Sequence, residues 1–227
     1  DVAVAELGRD YAARIVRIQP HGPYRIAGWS AGGRLAHEVV RVLEQGGHGV
    51  SFVALFDTRD PGADAAEPAP TVASELDQLR QLVGDETLLG DRDYATVAQL
   101  WGDFTELLAQ RREWDGRFFA GKLRRYRTYL RAMAEPAELD AQALWVQVNR
   151  IRSLARSVAT PPAGTIAAPV HYFQPEFSRN DPQRWRPLCS GELHVHRTKG
   201  DHFSMFQEPA VILLAADFLR YTEQVSS

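Results

Sequence analysis

Cysteine is almost missing from this sequence: among 227 residues only Cys189 carries a thiol. A disulfide framework and a cysteine-based zinc site are therefore excluded. Lysine is nearly as scarce, and of 26 basic residues only Lys122 and Lys199 are lysines. Arginine carries the positive charge, and 29 acidic residues leave a net charge of −3. That balance gives no general electrostatic attraction to nucleic acid or to a membrane surface. No apolar run approaches the roughly 20 residues that span a bilayer. What remains is an ordinary globular composition, 44% hydrophobic, in a chain long enough for one sizeable core. A cytoplasmic protein is the expectation.

Apolar positions Leu7, Tyr11, Ile15 and Ile18 recur at helical spacing, and His21-Gly22-Pro23 ends that pattern. "YRIAG" is short and apolar enough for a buried strand. "SAGGRLAHEVVRVLEQGG" reads as a helix closed by Gly46 and Gly47. "GVSFVALFD" reads as a second buried strand. Helix, strand, helix, strand is the order of a parallel sheet with crossover helices.

Between Pro61 and Pro162 that rhythm stops. Four helical patterns follow one another: "TVASELDQLRQLVG", "DYATVAQLWGDFTELLAQRREW", "RFFAGKLRRYRTYLRAMAEP" and "ELDAQALWVQVNRIRSLARSVA". Stretches rich in Pro, Gly and Ala flank them. "VHYFQ" and "ELHVHRT" then resume the strands, and "PAVILLAADFLRYTEQ" closes the chain as a helix with Pro209 in its first turn. The expectation is an α/β protein with a mostly parallel sheet flanked by helices, interrupted by a helical insertion. The first part of the core is assigned to residues 1–61, the insertion to 62–165 and the second part of the core to 166–227. An insertion of that size is far longer than an ordinary connection.

"GWSAG", Gly28 to Gly32, falls where the first strand turns into its helix. A reversal this sharp strains the residue at its apex and requires small neighbours where strand and helix close on each other. Gly28 and Gly32 meet that requirement on either side of Ser30. The geometry lifts the Ser30 hydroxyl above the sheet and aims a helix N-terminus at it. The N–H of Ala31 is then placed to donate to an oxyanion formed on an attacked carbonyl. A phosphate-cradling loop fits less well, because its G-K-[ST] ending is missing.

A serine at its free pKa is a poor nucleophile, so it needs a base and an acid to orient that base. Of seven histidines, only His202, in "TKGDHFSMFQEP", follows a strand, sits in a loop and precedes a helix. It is the candidate base. His171, His194 and His196 fall inside strand patterns. His194 and His196 share a strand face, but with no third ligand at suitable spacing they read as a structural pair, and no metal is expected. For the acid the positions leave rivals. Asp57 ends the second strand, with Asp60 close behind it. Glu176 follows the third strand, with Asp181 after it.

With these residues in place, the chain resembles the thioesterase domains of nonribosomal peptide and polyketide synthases, members of the α/β-hydrolase superfamily. The matching pieces are "GPYRIAGWSAGG", "RLAHEVVRVLEQGGHGV", "ALFDTRDP" and "GDHFSMFQEP" with its trailing helix. The resemblance implies an α/β-hydrolase fold with a helical lid, and the insertion fits the lid by place and size. It also favours Asp57 as the acid, with Glu176 second. No bound cofactor is implied. The substrate would be an acyl or peptidyl chain on the phosphopantetheine arm of a carrier-protein partner, moved onto serine and released by hydrolysis or cyclisation. Trp29 before the serine, where free-standing editing thioesterases usually carry His, favours the chain-terminating kind.

One departure stands out. The family begins with a strand, a helix and a second strand ahead of the helix that opens this sequence, and the loop after that first strand supplies a second oxyanion N–H. The expectation is about 50–70 further residues upstream in the parent protein. Within the insertion, Arg117, Arg124 and Arg131 lie on one helical stripe. The stripe reads either as a solvated face or as a dock for an acidic carrier protein or its phosphate. Rival functions are an editing thioesterase, a carboxylester hydrolase with the same triad, and a non-catalytic carrier-binding module.

Overall fold

A computed structural model of the chain describes residues 3–62, 70–111, 114, 118, 141–159 and 162–224. The chain forms two compact units, Asp1–Ala66 with Leu154–Ser227, and Glu67–Ser153.

The first unit is built on four parallel strands in the order β1-β2-β3-β4: β1 (Tyr24–Trp29), β2 (Val50–Phe56), β3 (Val170–Pro175) and β4 (Leu193–Thr198). Helices α1 (Val4–Ile18) and α2 (Ala31–Gln45) precede and follow β1. In β2, Val53 and Leu55 face one way and pack with Ala36 and Val40 of α2 and with Val170 and Tyr172 of β3. Phe52 and Ala54 face the other way, toward Met205 and toward Leu214 of the C-terminal helix. Side chains alternate across a strand, so a strand covered on both faces reads as a continuous apolar run. That is why "SFVALF" shows no polar alternation.

β1 departs from the buried strand that its composition predicts: Arg25, Ala27 and Trp29 are exposed. Among the described strands it pairs only with β2, so its other edge has no described partner. Between β3 and β4 the chain makes a 3₁₀ segment, Pro182–Leu188, where the sequence carries no helical or strand periodicity. Asp181 caps it by accepting from the Gln183 N–H at 3.0 Å, and Trp185 is fully buried beneath it.

The second unit contains α3 (Val72–Val83), α4 (Val97–Gln110) and most of α5 (Ala141–Ala159), with no strand among the described residues. Thr71 and Ser74 form a capping box at the start of α3, and Gly84 ends that helix at φ 74°. Leu79, Leu100, Phe104, Trp145 and Val148 form its core. Glu75 is buried among them, paired with Arg152 and accepting from the Trp101 indole N–H at 2.9 Å. The third helical pattern of the insertion lies outside the described residues. The C-terminal helix α6 (Ala210–Gln224) starts one residue past Pro209.

Candidate active site

All four strands of the first unit contribute to one place, the region beyond their C-terminal ends. This is where ligands bind in open α/β sheets, because chain reversals leave loops and helix N-termini free there. Ser30 occupies the junction of β1 and α2 at φ 56° and ψ −125°. Its N–H donates to Phe56 O at 3.0 Å, which ties the turn to the end of β2. Asp57 follows Phe56 at φ 40°, and its N–H donates to Phe173 O at 2.9 Å. Positive φ is costly for residues with a side chain and persists only where surrounding structure enforces it. Among the described non-glycine residues only Ser30, Asp57 and Leu89 adopt it. Two of the three are therefore the candidate nucleophile and the candidate acid.

The glycines around Ser30 are not equivalent. A Cβ on Gly28 would come within 2.3 Å of Gly32 O and 2.6 Å of Gly33 Cα, so strand and helix do close on that position. At Gly32 a Cβ would meet nothing within 4 Å. The second tight position is Gly33, where a Cβ would lie 1.9 Å from Thr58 Oγ1. The expectation that Gly32 must be small for packing is thus corrected: the crowding falls one residue later, where α2 passes the chain leaving β2. Ala31 is the first residue of α2, so its N–H has no partner within the helix.

His202 lies in the loop between β4 and α6. Its Nδ1 is 2.7 Å from Asp57 Oδ2, across 145 residues of sequence. Asp57 is 3% exposed and the His202 side chain 24%. Burial alone would raise the Asp57 pKa. The hydrogen bonds from His202, Ser178 and Asn180 outweigh it and hold the carboxyl below its usual range. An ionised Asp57 accepts at Oδ2, so Nδ1 carries the proton and Nε2 is left as the basic nitrogen. Trp29 fixes the other side of the histidine. Its indole N–H donates to His202 O at 3.1 Å, and the two rings sit 5.0 Å apart.

The rival carboxylates face elsewhere. Glu176 pairs with Lys199 at 3.1 Å, and Asp181 caps the 3₁₀ segment. Asp60 accepts from the Asp181 N–H at 2.7 Å, joining the loops after β2 and β3. Sequence reasoning missed what else those loops do: Ser178 and Asn180 both donate to Asp57 Oδ1, at 2.5 and 2.8 Å. They stand between two conspicuous acids, and nothing in their spacing marks them.

His171, His194 and His196 form a layer on the sheet, with His171 Nδ1 3.0 Å from His196 Nε2 and Tyr221 of α6 stacked on His196. Among the described residues no group of three or more His, Cys, Asp or Glu is arranged to hold a metal ion. Cys189 is buried, and burial pushes its thiol up to about 11, so it is not primed as a nucleophile. Arg117, Arg124 and Arg131 lie outside the described residues. No helix among the described residues is long and apolar enough to cross a membrane.

A parallel sheet with helices on both faces, and a strained serine turn beyond its strand ends, defines an α/β-hydrolase fold. The thioesterase domain family matches residues 3–217, and the chain belongs to that family. Chondramide synthase of Chondromyces crocatus is 25% identical over 93% of this chain, which spans 5% of that protein. A holo four-domain nonribosomal peptide synthetase bound to AMP and glycine superposes on 97% of the chain and 16% of its own, at 21% identity and a TM-score of 0.62. The thioesterase domain that cyclises the lipopeptide antibiotic surfactin covers 94% of this chain and 74% of its own, at 19% identity and a TM-score of 0.52.

Proposed function

We propose that this domain is a serine thioesterase that releases an acyl or peptidyl chain from the phosphopantetheine thiol of a carrier protein. The observation that carries the reading is the 2.7 Å bond between Asp57 and His202, formed in the loops beside the Ser30 turn. Family membership supports the thioester as the bond attacked.

In the proposed sequence the Ser30 hydroxyl attacks the thioester carbonyl carbon while His202 Nε2 takes its proton. The Ala31 N–H donates to the oxyanion of the tetrahedral intermediate. As that intermediate collapses, the carbon–sulfur bond breaks and the leaving sulfur takes the proton from His202. The acyl-serine ester then meets water, or a hydroxyl or amine within the chain, whose proton His202 again accepts. The ester bond breaks and Ser30 Oγ is reprotonated. The product is an acid in one case and a ring in the other. This chemistry requires no resident cofactor. The helical unit is the proposed lid, and Arg117, Arg124 and Arg131 remain the proposed dock for the carrier.

Mass spectrometry after incubation with an acyl thioester tests the reading. An acyl adduct is expected on the parent protein and not on Ser30→Ala. Asp57→Asn should lower turnover by about 10⁴, the loss that follows when a triad histidine is held in the wrong tautomer. Equal acylation of Ser30→Ala would overturn the proposal. Faster turnover of simple esters than of carrier-bound thioesters would favour a carboxylester hydrolase.

A further inference from the structure

We infer that Ser178 and Asn180 are positioning residues for Asp57: the loop after β3 supplies two neutral donors that fix the carboxylate for His202. The inference rests on the triad proposed above. An ionised carboxylate has about four acceptor sites on its two oxygens. At Asp57 the work is divided, with Oδ2 taken by His202 and Oδ1 by the Ser178 hydroxyl at 2.5 Å and the Asn180 amide at 2.8 Å. Rotation of the carboxylate would break both contacts on Oδ1, so Oδ2 stays aimed at the imidazole.

The donors are themselves held. Ser178 Oγ accepts from the Asn180 N–H at 3.1 Å, which leaves the hydroxyl proton for Asp57. Asn180 O accepts from the buried Gln174 amide at 2.7 Å. The loop is also fastened on both flanks. Asp181 N–H donates to Asp60 on the side of Asp57, and Phe177 N–H donates to Gly200 O at 3.2 Å on the side of His202. Those bonds join the acid's loop and the base's loop through one intermediary.

Neutrality matters chemically. A lysine or arginine at Oδ1 would compete with the imidazolium for the same negative charge. Amide and hydroxyl donors stabilise the ionised carboxylate while leaving its charge to the histidine. They help to hold the Asp57 carboxyl below its usual range against the burial that would raise it. The other charged or titratable groups facing this cluster are Asp60, Asp181, Arg184 and the Tyr172 phenol.

The test compares Ser178→Ala, Asn180→Ala and their double variant with the parent and with Asp57→Asn. The substrate is a hexanoyl N-acetylcysteamine thioester. Each single variant should lower kcat about 10-fold, the size expected for losing a hydrogen bond to a charged group, with KM within about twofold. With fewer donors the Asp57 carboxylate offers more of its negative charge to the imidazolium of His202, so the acidic limb of the kcat/KM profile should move to higher pH. Ser178→Thr keeps the hydroxyl and should recover most of the loss. A double variant with parental kcat and parental pH profile, while Asp57→Asn loses about 10⁴, would overturn the positioning role and leave the triad standing. An active Asp57→Asn would remove the triad and this inference together. Should the double variant fail to fold, the contrast between Ser178→Ala and Ser178→Thr, one surface-loop hydroxyl, decides the same question.

Discussion

Gly28→Ala and Gly32→Ala make the same chemical change at the two glycines of one motif, and the packing around them predicts opposite results. A methyl at Gly28 would sit 2.3 Å from Gly32 O and 2.5 Å from the Gly32 carbonyl carbon, both backbone atoms. Comfortable contact begins near 3.5 Å, so β1 and the start of α2 must separate by about 1 Å. Overpacking of this kind costs about 2–3 kcal/mol, a melting-temperature loss of about 5–10 °C for a chain this size. The same displacement moves Ser30 and the Ala31 N–H relative to His202, and a misplacement of 1 Å can cost about 10²-fold in rate. Gly32 is exposed in the first turn of α2, with open space where its Cβ would be. Alanine there should be neutral, or stabilising by about 0.5 kcal/mol through its helix propensity. Thermal melting and the rate of serine labelling by a fluorophosphonate, run on both variants, measure the difference. Equal damage from the two substitutions, or a Gly28→Ala variant matching the parent, would refute the packing argument.

Acid should weaken the first unit through its histidine layer. Burial, with His194 and His196 alongside, lowers the His171 pKa to about 4, so the unfolded chain takes up a proton near pH 6.5 that the native state refuses. Stability is therefore expected to fall as pH drops from 6.5 toward 4, with His196 adding in the same direction. His171→Phe, placed between Phe52 and His196, should flatten the dependence of melting temperature on pH across that window. In the helical unit, Glu75→Gln keeps the shape of a 2%-exposed side chain but removes the charge facing Arg152. A loss of about 3 kcal/mol is expected, read by urea unfolding.

Much of this protein is legible along the chain because the signals are local. Ser30 sits in "GWSAG" between a strand pattern and a helix pattern, and that junction marks where the strained turn falls. The run "SFVALF" encodes a strand buried on both faces. The carboxylate that meets His202 is a different case. Asp57 and Glu176 both follow strands at the same edge of the sheet, and position could not choose between them. The tertiary structure places Asp57 against His202, 145 residues away, and turns Glu176 toward Lys199. Side-chain direction at a strand end depends on backbone φ, and at Asp57, where φ is 40°, the N–H donates to Phe173 O of β3, a strand separated from it by the whole insertion. The same holds for Ser178 and Asn180, which acquire a role only because β3 lies beside β2. Local sequence determined most of the elements and the place of the turn at Ser30. Which polar groups meet was decided by the order of the strands, since hydrogen bonds need atoms within about 3 Å and only the assembled sheet brings these loops that close.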